Sequence, residues 1–246
     1  MTGTIGVHVH GWPGRMATAC CAAIESAPDL RLVGRTGRGD DLAAALAAGD
    51  ADVGVDFSVA GAAETAIESM LEAGLHVVSG TTGLPTEQRV ALGALAATAG
   101  RGLLAVANFA LGAVLLQRFA REAAALLPDV EIIELHHDRK RDAPSGTALE
   151  VARQLGEVRG PAASTGEPEA AASRGQRVHG VPIHSIRLPG LLAHHEVIFG
   201  GPGQTLVLRH DVLDRQAFMP GVLLGIRRIR SRRGLVLSLD TLLDSP

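Results

Sequence analysis

Cysteine is nearly absent: the chain has two, Cys20 and Cys21, and they are adjacent. Neighbours on one helix cannot reach disulfide geometry, so a disulfide framework is excluded and a reducing cytoplasm is the expected compartment. No apolar run approaches the roughly 20 residues that a membrane helix needs, so no membrane partner is expected. The first residues lack a basic segment followed by an apolar core, so no secretion signal is expected. An excess of one charge is missing too. The 23 Lys and Arg face 26 Asp and Glu, for a net charge of -3. That balance argues against nucleic acid as a partner. The one basic run, Arg227-Arg228-Ile229-Arg230-Ser231-Arg232-Arg233, reads as a solvated helix face. No internal repeat is evident. The 246 residues are 46% hydrophobic, enough for a sizeable core in one large or two small domains.

The first hundred residues alternate between strand and helix patterns. Strands are expected at Ile5–Val9, Leu30–Val33, Val53–Phe57, His76–Ser79 and Leu103–Ala107. Helices are expected to about Ser26, over Asp41–Ala48, around Ile67, Met70, Leu71 and Leu75, and from about Thr86. This repetition implies a parallel, doubly wound α/β sheet, with ligands at the carboxyl ends of its strands. Beyond about residue 110 the pattern becomes α+β. A helix over Leu111–Leu126 precedes a strand at Val130–Leu135, and further strands fall near 181–188, 195–199 and 204–210. Residues 159–178, rich in Gly, Ala, Ser, Pro and Glu, read as a surface loop. The domain boundaries expected are 1–109, 110–214 and a returning segment 215–246 that ends in a helix and a strand at Leu235–Leu239.

Chemistry concentrates in Glu134-Leu135-His136-His137-Asp138-Arg139-Lys140-Arg141-Asp142-Ala143-Pro144-Ser145-Gly146-Thr147-Ala148. Pro144 stops any earlier helix and Ser145 stands where an N-cap belongs. Gly146 and Thr147 then fall in the first turn, where backbone N–H groups lack partners and can hold an anion. Two histidines and a lysine sit just upstream. An anion cradle beside proton donors points to an enzyme acting on a small acidic molecule. Glu134 and Asp142 could orient the cations, against the alternative of an ordinary surface pair.

This run resembles the signature of the dihydrodipicolinate reductase family, E-x-H-H-x-x-K-x-D-A-P-S-G-T-A, with every fixed position present. Gly80-Thr81-Thr82-Gly83, Ala107-Asn108-Phe109, Val181–Leu188, His195-Glu196, Leu208–Asp211 and Asp214–Leu224 are similar to family segments in the same order. The likeness is greatest to the short actinobacterial members. The resemblance implies a Rossmann-like coenzyme domain and a second α+β domain for substrate and oligomerisation. It implies a homotetramer and reduction of 4-hydroxy-tetrahydrodipicolinate in the diaminopimelate route to lysine. It implies His136 as acid/base and Lys140 as proton donor, with His137, Ser145, Gly146 and Thr147 on the small dicarboxylate substrate. It places Gly80, Thr81 and Thr82 at the nicotinamide end of the coenzyme, with Ala107, Asn108 and Phe109 beside them.

Strand one leads into Gly11-Trp12-Pro13-Gly14-Arg15-Met16-Ala17. A glycine turn between strand and helix can receive a pyrophosphate, and Arg15 adds charge. Gly11, Gly14, Arg15 and Met16 match the family's coenzyme loop; Trp12, Pro13 and Ala17 depart from it. Pro13 removes a backbone donor, and Trp12 is bulky but able to stack on a ligand. After strand two, Gly37 stands about where an acidic residue would hold a ribose hydroxyl. Arg35, Thr36 and Arg38 suit a 2′-phosphate, so the expected coenzyme is NADPH, with NADH as the other candidate. His8 and His10 face one way on strand one and read as satisfied core histidines, with no third ligand apparent for a metal. A second reading is a specialised paralogue with an altered coenzyme loop, acting on another cyclic imine or dicarboxylate without conventional hydride transfer. A third is a non-catalytic metabolite sensor, which the intact His136, Lys140 and Ser145–Thr147 argue against.

Overall fold

The computed structural model describes residues 3–160 and 172–243. The chain forms two compact units, Met1–Phe109 with Phe218–Pro246, and Ala110–Ala217.

Unit 1 is a parallel six-stranded sheet. Its strands are β1 (Ile5–Trp12), β2 (Leu30–Gly37), β3 (Val53–Asp56), β4 (His76–Ser79), β5 (Gly102–Ala105) and β11 (Gly234–Val236). They lie in the order β11-β5-β4-β3-β1-β2. Val7, Val9, Val53, Val55, Val77, Val78, Leu103 and Leu104 are fully buried. Continuous β-branched and aliphatic runs of this kind belong to strands covered on both faces. Helices α1 (Arg15–Glu25), α2 (Leu42–Ala47), α3 (Ala60–Glu72), α4 (Thr86–Thr98) and α7 (Met219–Ile229) supply the cover, with a short α8 (Asp240–Leu243) at the end. Asp41 caps α2 by accepting the Ala44 N–H at 3.0 Å. From β1 the chain moves outward to β2, then returns to the other side of β1 as β3. The carboxyl ends of β1 and β3 therefore flank the switch point where such sheets bind ligands.

Unit 2 is a mixed sheet in the order β10-β9-β6-β8-β7. Its strands are β6 (Asp129–His136), β7 (Gln176–Val178), β8 (Val181–Arg187), β9 (Ala193–Gly201) and β10 (Gln204–Val212). Helices α5 (Leu111–Ala124) and α6 (Gly146–Arg159) cover one face. Leu116, Ile132, Val151, Leu155, Ile183, Val197 and Phe199 form the core between them. Burial along β6 alternates, and Val130, Ile132, Glu134 and His136 share the buried row. Two polar residues thus continue an apolar stripe toward the end of the strand.

Three expected boundaries are corrected. The stretch 159–178 is not all loop: α6 runs to Arg159, and Gln176–Val178 forms β7, paired antiparallel with β8. Residues 161–171 lie outside the described part. Leu75 is not on a helix, because α3 ends at Glu72 and Gly74 turns the chain with φ 79°; Leu75 is still buried. The last strand is Gly234–Val236 rather than Leu235–Leu239, and Leu239 is buried ahead of α8.

Candidate active site

In unit 2 the signature folds around a buried carboxylate. Glu134 has no exposed surface. It accepts a short hydrogen bond from His136 Nδ1 and a 2.7 Å bond from Arg187 Nη2. Burial alone would raise its pKa, but hydrogen bonds from His136, Arg187 and Ser185 outweigh that and hold it at about 2. The partnership fixes a hydrogen on Nδ1 of His136 and leaves Nε2 as its other functional nitrogen. The His136 ring meets that of His195 edge-on, with centroids 5.5 Å apart. His195 lies opposite Glu134 in the β6–β9 pairing. It is buried, and burial, then the neighbouring His136, push its pKa down to about 4.

Ser145 caps α6, its hydroxyl accepting the Ala148 N–H at 3.2 Å. The same oxygen lies 3.2 Å from His195 Nε2. A hydroxyl can accept twice and donate once, so Ser145 links the helix cap to the imidazole in either tautomer of His195. Gly146 and Thr147 open the helix, where first-turn N–H groups are presented to an anion. The loop between His136 and Ser145 is closed by Lys140 N–H donating to the His137 carbonyl. The Lys140 ammonium bonds the Asp142 carboxylate at 2.8 and 3.0 Å, which holds that carboxyl below its ordinary pKa. Nδ1 of His137 is buried without a protein partner. Arg187 and His195 stood unremarked within family-like segments. For His195 the available signal was parity: it continues the inward-facing row of Val197 and Phe199 with a polar group.

In unit 1, Gly11 turns the chain with φ 106°, and a Cβ there would lie 2.5 Å from the Phe57 carbonyl oxygen. Gly14 donates to the Gly11 carbonyl at 2.8 Å and precedes α1, so Arg15 and Met16 occupy its first turn. A cavity of about 300 Å³ is lined by Met16, Phe57, Ser58, Val59, Ala60, Gly80, Thr81 and Thr82. Ser58 Oγ and Thr81 Oγ1 are buried without partners. Both belong to this lining, so the cavity offers two unused hydroxyls beside a helix N-terminus, which fits a dinucleotide. Asp56 shapes the lining by accepting from Ser58 N–H at 3.0 Å and Ser79 Oγ at 2.8 Å. Ser58 was missed by sequence reasoning; a polar residue just past a buried strand was the clue. Ala107 and Asn108 follow β5, and buried Phe109 meets Phe57 edge-on at 6.0 Å.

The end of β2 departs from expectation. Thr36 is buried, and its hydroxyl lies 2.9 Å from His8 Nε2 and 3.0 Å from His10 Nδ1. It is committed within the sheet and does not face a phosphate. Arg35 lies over the Trp12 ring at 4.1 Å, so the indole carries a guanidinium. Gly37 pairs with Trp12, and a Cβ there would fall 1.7 Å from the Trp12 carbonyl oxygen. No acidic side chain fits at that position. The nearby carboxylate is that of Asp40, which accepts the Gly37 N–H at 2.8 Å. Arg38 is exposed.

The fold recurs in a dehydrogenase of distant sequence. An amine dehydrogenase from Mycobacterium smegmatis superposes with a TM-score of 0.64 over 96% of this chain and 95% of its own, at 14% identity, a likeness of fold alone. The patterns for the N-terminus and C-terminus of dihydrodipicolinate reductase match residues 5–109 and 112–243. The dipicolinate-bound dihydrodipicolinate reductase from Paenisporosarcina sp. TG-14 superposes with a TM-score of 0.86 at 35% identity, over 97% of this chain and 99% of its own. The 4-hydroxy-tetrahydrodipicolinate reductases of Beutenbergia cavernae and Nocardia farcinica are 44% and 45% identical, each over 98% of this chain and 99% of their own length. The chain belongs to the dihydrodipicolinate reductase family.

Proposed function

We propose that this protein reduces 4-hydroxy-tetrahydrodipicolinate to tetrahydrodipicolinate with a nicotinamide coenzyme, in the diaminopimelate route to lysine. The observation that carries the reading is the buried Glu134–His136 pair beside the capped first turn of α6. A cyclic dicarboxylate needs cationic or N–H partners for both carboxylates. Lys140, His137 and the first-turn N–H groups at Gly146 and Thr147 supply them. Ser145 serves through its cap, which keeps that turn in place. Loss of water from the substrate leaves a conjugated imine, and the coenzyme, when bound, supplies hydride. His136 exchanges a proton at Nε2 and Lys140 donates one at Nζ, while the carboxylate contacts orient the ring.

Gly11, Gly14, Arg15, Met16, Ser58, Gly80, Thr81, Thr82, Ala107, Asn108 and Phe109 are the residues we assign to the coenzyme. Arg38, with Arg35 on its indole support, gives a preference for NADPH over NADH, which Asp40 moderates. The sheet face of unit 2 away from its helices exposes Ile186 and Val207. We infer that copies assemble through this face, and that the protein works as a homotetramer in the cytoplasm. The deciding experiment follows coenzyme absorbance at 340 nm with freshly made substrate. Oxidation that requires the substrate is expected. A folded sample that oxidises neither NADPH nor NADH rejects the reading in favour of an altered paralogue.

A further inference from the structure

The groups that act on the substrate lie on two separate pieces of backbone. His136 ends β6, while Lys140 and Asp142 belong to the loop that follows. One side chain from a third segment touches both. Arg187, the last residue of β8, donates from Nη2 to Glu134 Oε1 at 2.7 Å and to the Asp142 carbonyl oxygen at 2.7 Å. An Nη carries two hydrogens in the plane of the guanidinium, so this atom is used on both sides. Nη1 donates to the Ile186 carbonyl at 2.8 Å, which fixes the plane. The next residue, Leu188, donates its N–H to the His136 carbonyl at 3.1 Å, tying the end of β8 to the end of β6. The Arg187 side chain is 17% exposed and that of Glu134 is 0% exposed, so the pair is shielded from water and its geometry is narrowly defined.

We propose that Arg187 is a positioning residue that sets the acid/base histidine and the carboxylate-binding loop at a fixed spacing. It acts on His136 through Glu134, and on Lys140 through the Asp142 backbone. Neither role requires Arg187 to touch substrate. The proposal rests on the reductase reading for its kinetic readouts, but its structural readout is independent of that reading.

The two arms are separable. Loss of the Glu134 arm lets the His136 ring turn and lowers kcat. Loss of the Asp142 arm loosens the loop that carries Lys140, which raises KM and adds to the fall in kcat. Arg187→Gln removes both, and a fall in kcat/KM of about 10²-fold is expected, the scale of a misplaced catalytic group. Arg187→Lys keeps a charge opposite Glu134 but lacks the flat fork. It should keep more of kcat than Arg187→Gln, with a KM raised several-fold. Glu134→Gln should lower kcat with little change in KM. In the double variant Glu134→Gln/Arg187→Gln the kcat losses should not add, whereas the KM rise of Arg187→Gln should persist. The double variant also removes the unpaired buried carboxylate, so it keeps the test usable if Arg187→Gln alone does not fold. The independent readout is proton NMR of uniformly 15N-labelled protein without ligands. A low-field Nδ1–H resonance of His136 is expected in wild type and in Arg187→Lys, and should broaden or shift upfield in Arg187→Gln. An inactive wild type that shows this NMR pattern would reject the assigned reaction and leave the positioning role standing. Additive kcat losses, or native kcat, KM and NMR signal in folded Arg187→Gln, would overturn it.

Discussion

Acidification should act on this protein through His195. This residue is 5% exposed and held in the neutral form, with a pKa pushed from 6.5 to about 4 by burial and then by His136. In the unfolded chain the same imidazole recovers its ordinary value. Between about pH 6.5 and 4 the unfolded state therefore binds the extra proton. The stability from keeping His195 neutral is fully present above pH 6.5 and is lost as pH falls toward 4. The whole effect is roughly 3 kcal/mol at about 1.4 kcal/mol per pH unit, and roughly 2 kcal/mol of it is gone by pH 5. Glu134, held at about 2 against an ordinary 4.5, stays ionised in the folded protein; its own contribution is present above about pH 4.5 and is lost below it as the unfolded chain takes up the proton, so it adds little to the loss down to pH 5. His8, His10, His76 and His210 are also pushed down, chiefly by burial, and bias stability the same way. The comparison is therefore between wild type and His195→Gln. Hydrogen exchange of the β6 and β9 amides, corrected for intrinsic rates, should show wild type losing roughly 2 kcal/mol more than the variant between pH 7.5 and 5. An NMR titration of labelled histidine should place the His195 midpoint near 4. Equal losses in the two proteins, or a midpoint at 6.5, would refute the reasoning.

Lys140→Ala should lower turnover by roughly 10²–10⁴, the range for a general acid, measured at saturating substrate. Ser145→Ala removes the cap of α6 and leaves His195 Nε2 unpartnered. It should cost about 1 kcal/mol of stability in denaturant unfolding and raise KM. Arg38→Ala should weaken NADPH more than NADH in a fluorescence titration, and equal weakening would show that Arg38 does not read the 2′-phosphate.

The alternation of strands and helices in unit 1 was legible because each buried parallel strand carries paired β-branched residues between turn signals, as Val53 and Val55 in β3 and Val77 and Val78 in β4. The cradle at Ser145–Thr147 was legible because capping is local and depends on residue type. Glu134 was legible only as a neighbour. Its weight comes from Arg187, 53 residues away along the chain. The end of β2 was misread for a related reason. Thr36, Gly37 and Arg35 are interpretable only once β1 is known to run on to Trp12 and pair there. Strand ends are set by tertiary pairing and are weakly encoded in local pattern. A different kind of signal was overlooked. Lys140 is the sole lysine among 23 Lys and Arg residues. Arginine meets the need for positive charge elsewhere, but it cannot give up a proton near neutral pH.

The path of the chain has a consequence for biosynthesis. Unit 2 is one uninterrupted stretch, whereas unit 1 is completed by residues translated after unit 2. Until α7 is made, the surface that will hold Val222, Ile226 and Ile229 has no cover, and β5 lacks its neighbour β11. A nascent chain paused near residue 217 would carry an open sheet edge and a bare apolar face, features that invite association with other chains. A ribosome-bound protein of this length is therefore the form most in need of a chaperone. Removal of the segment from Phe218 onward should harm solubility far more than its size suggests.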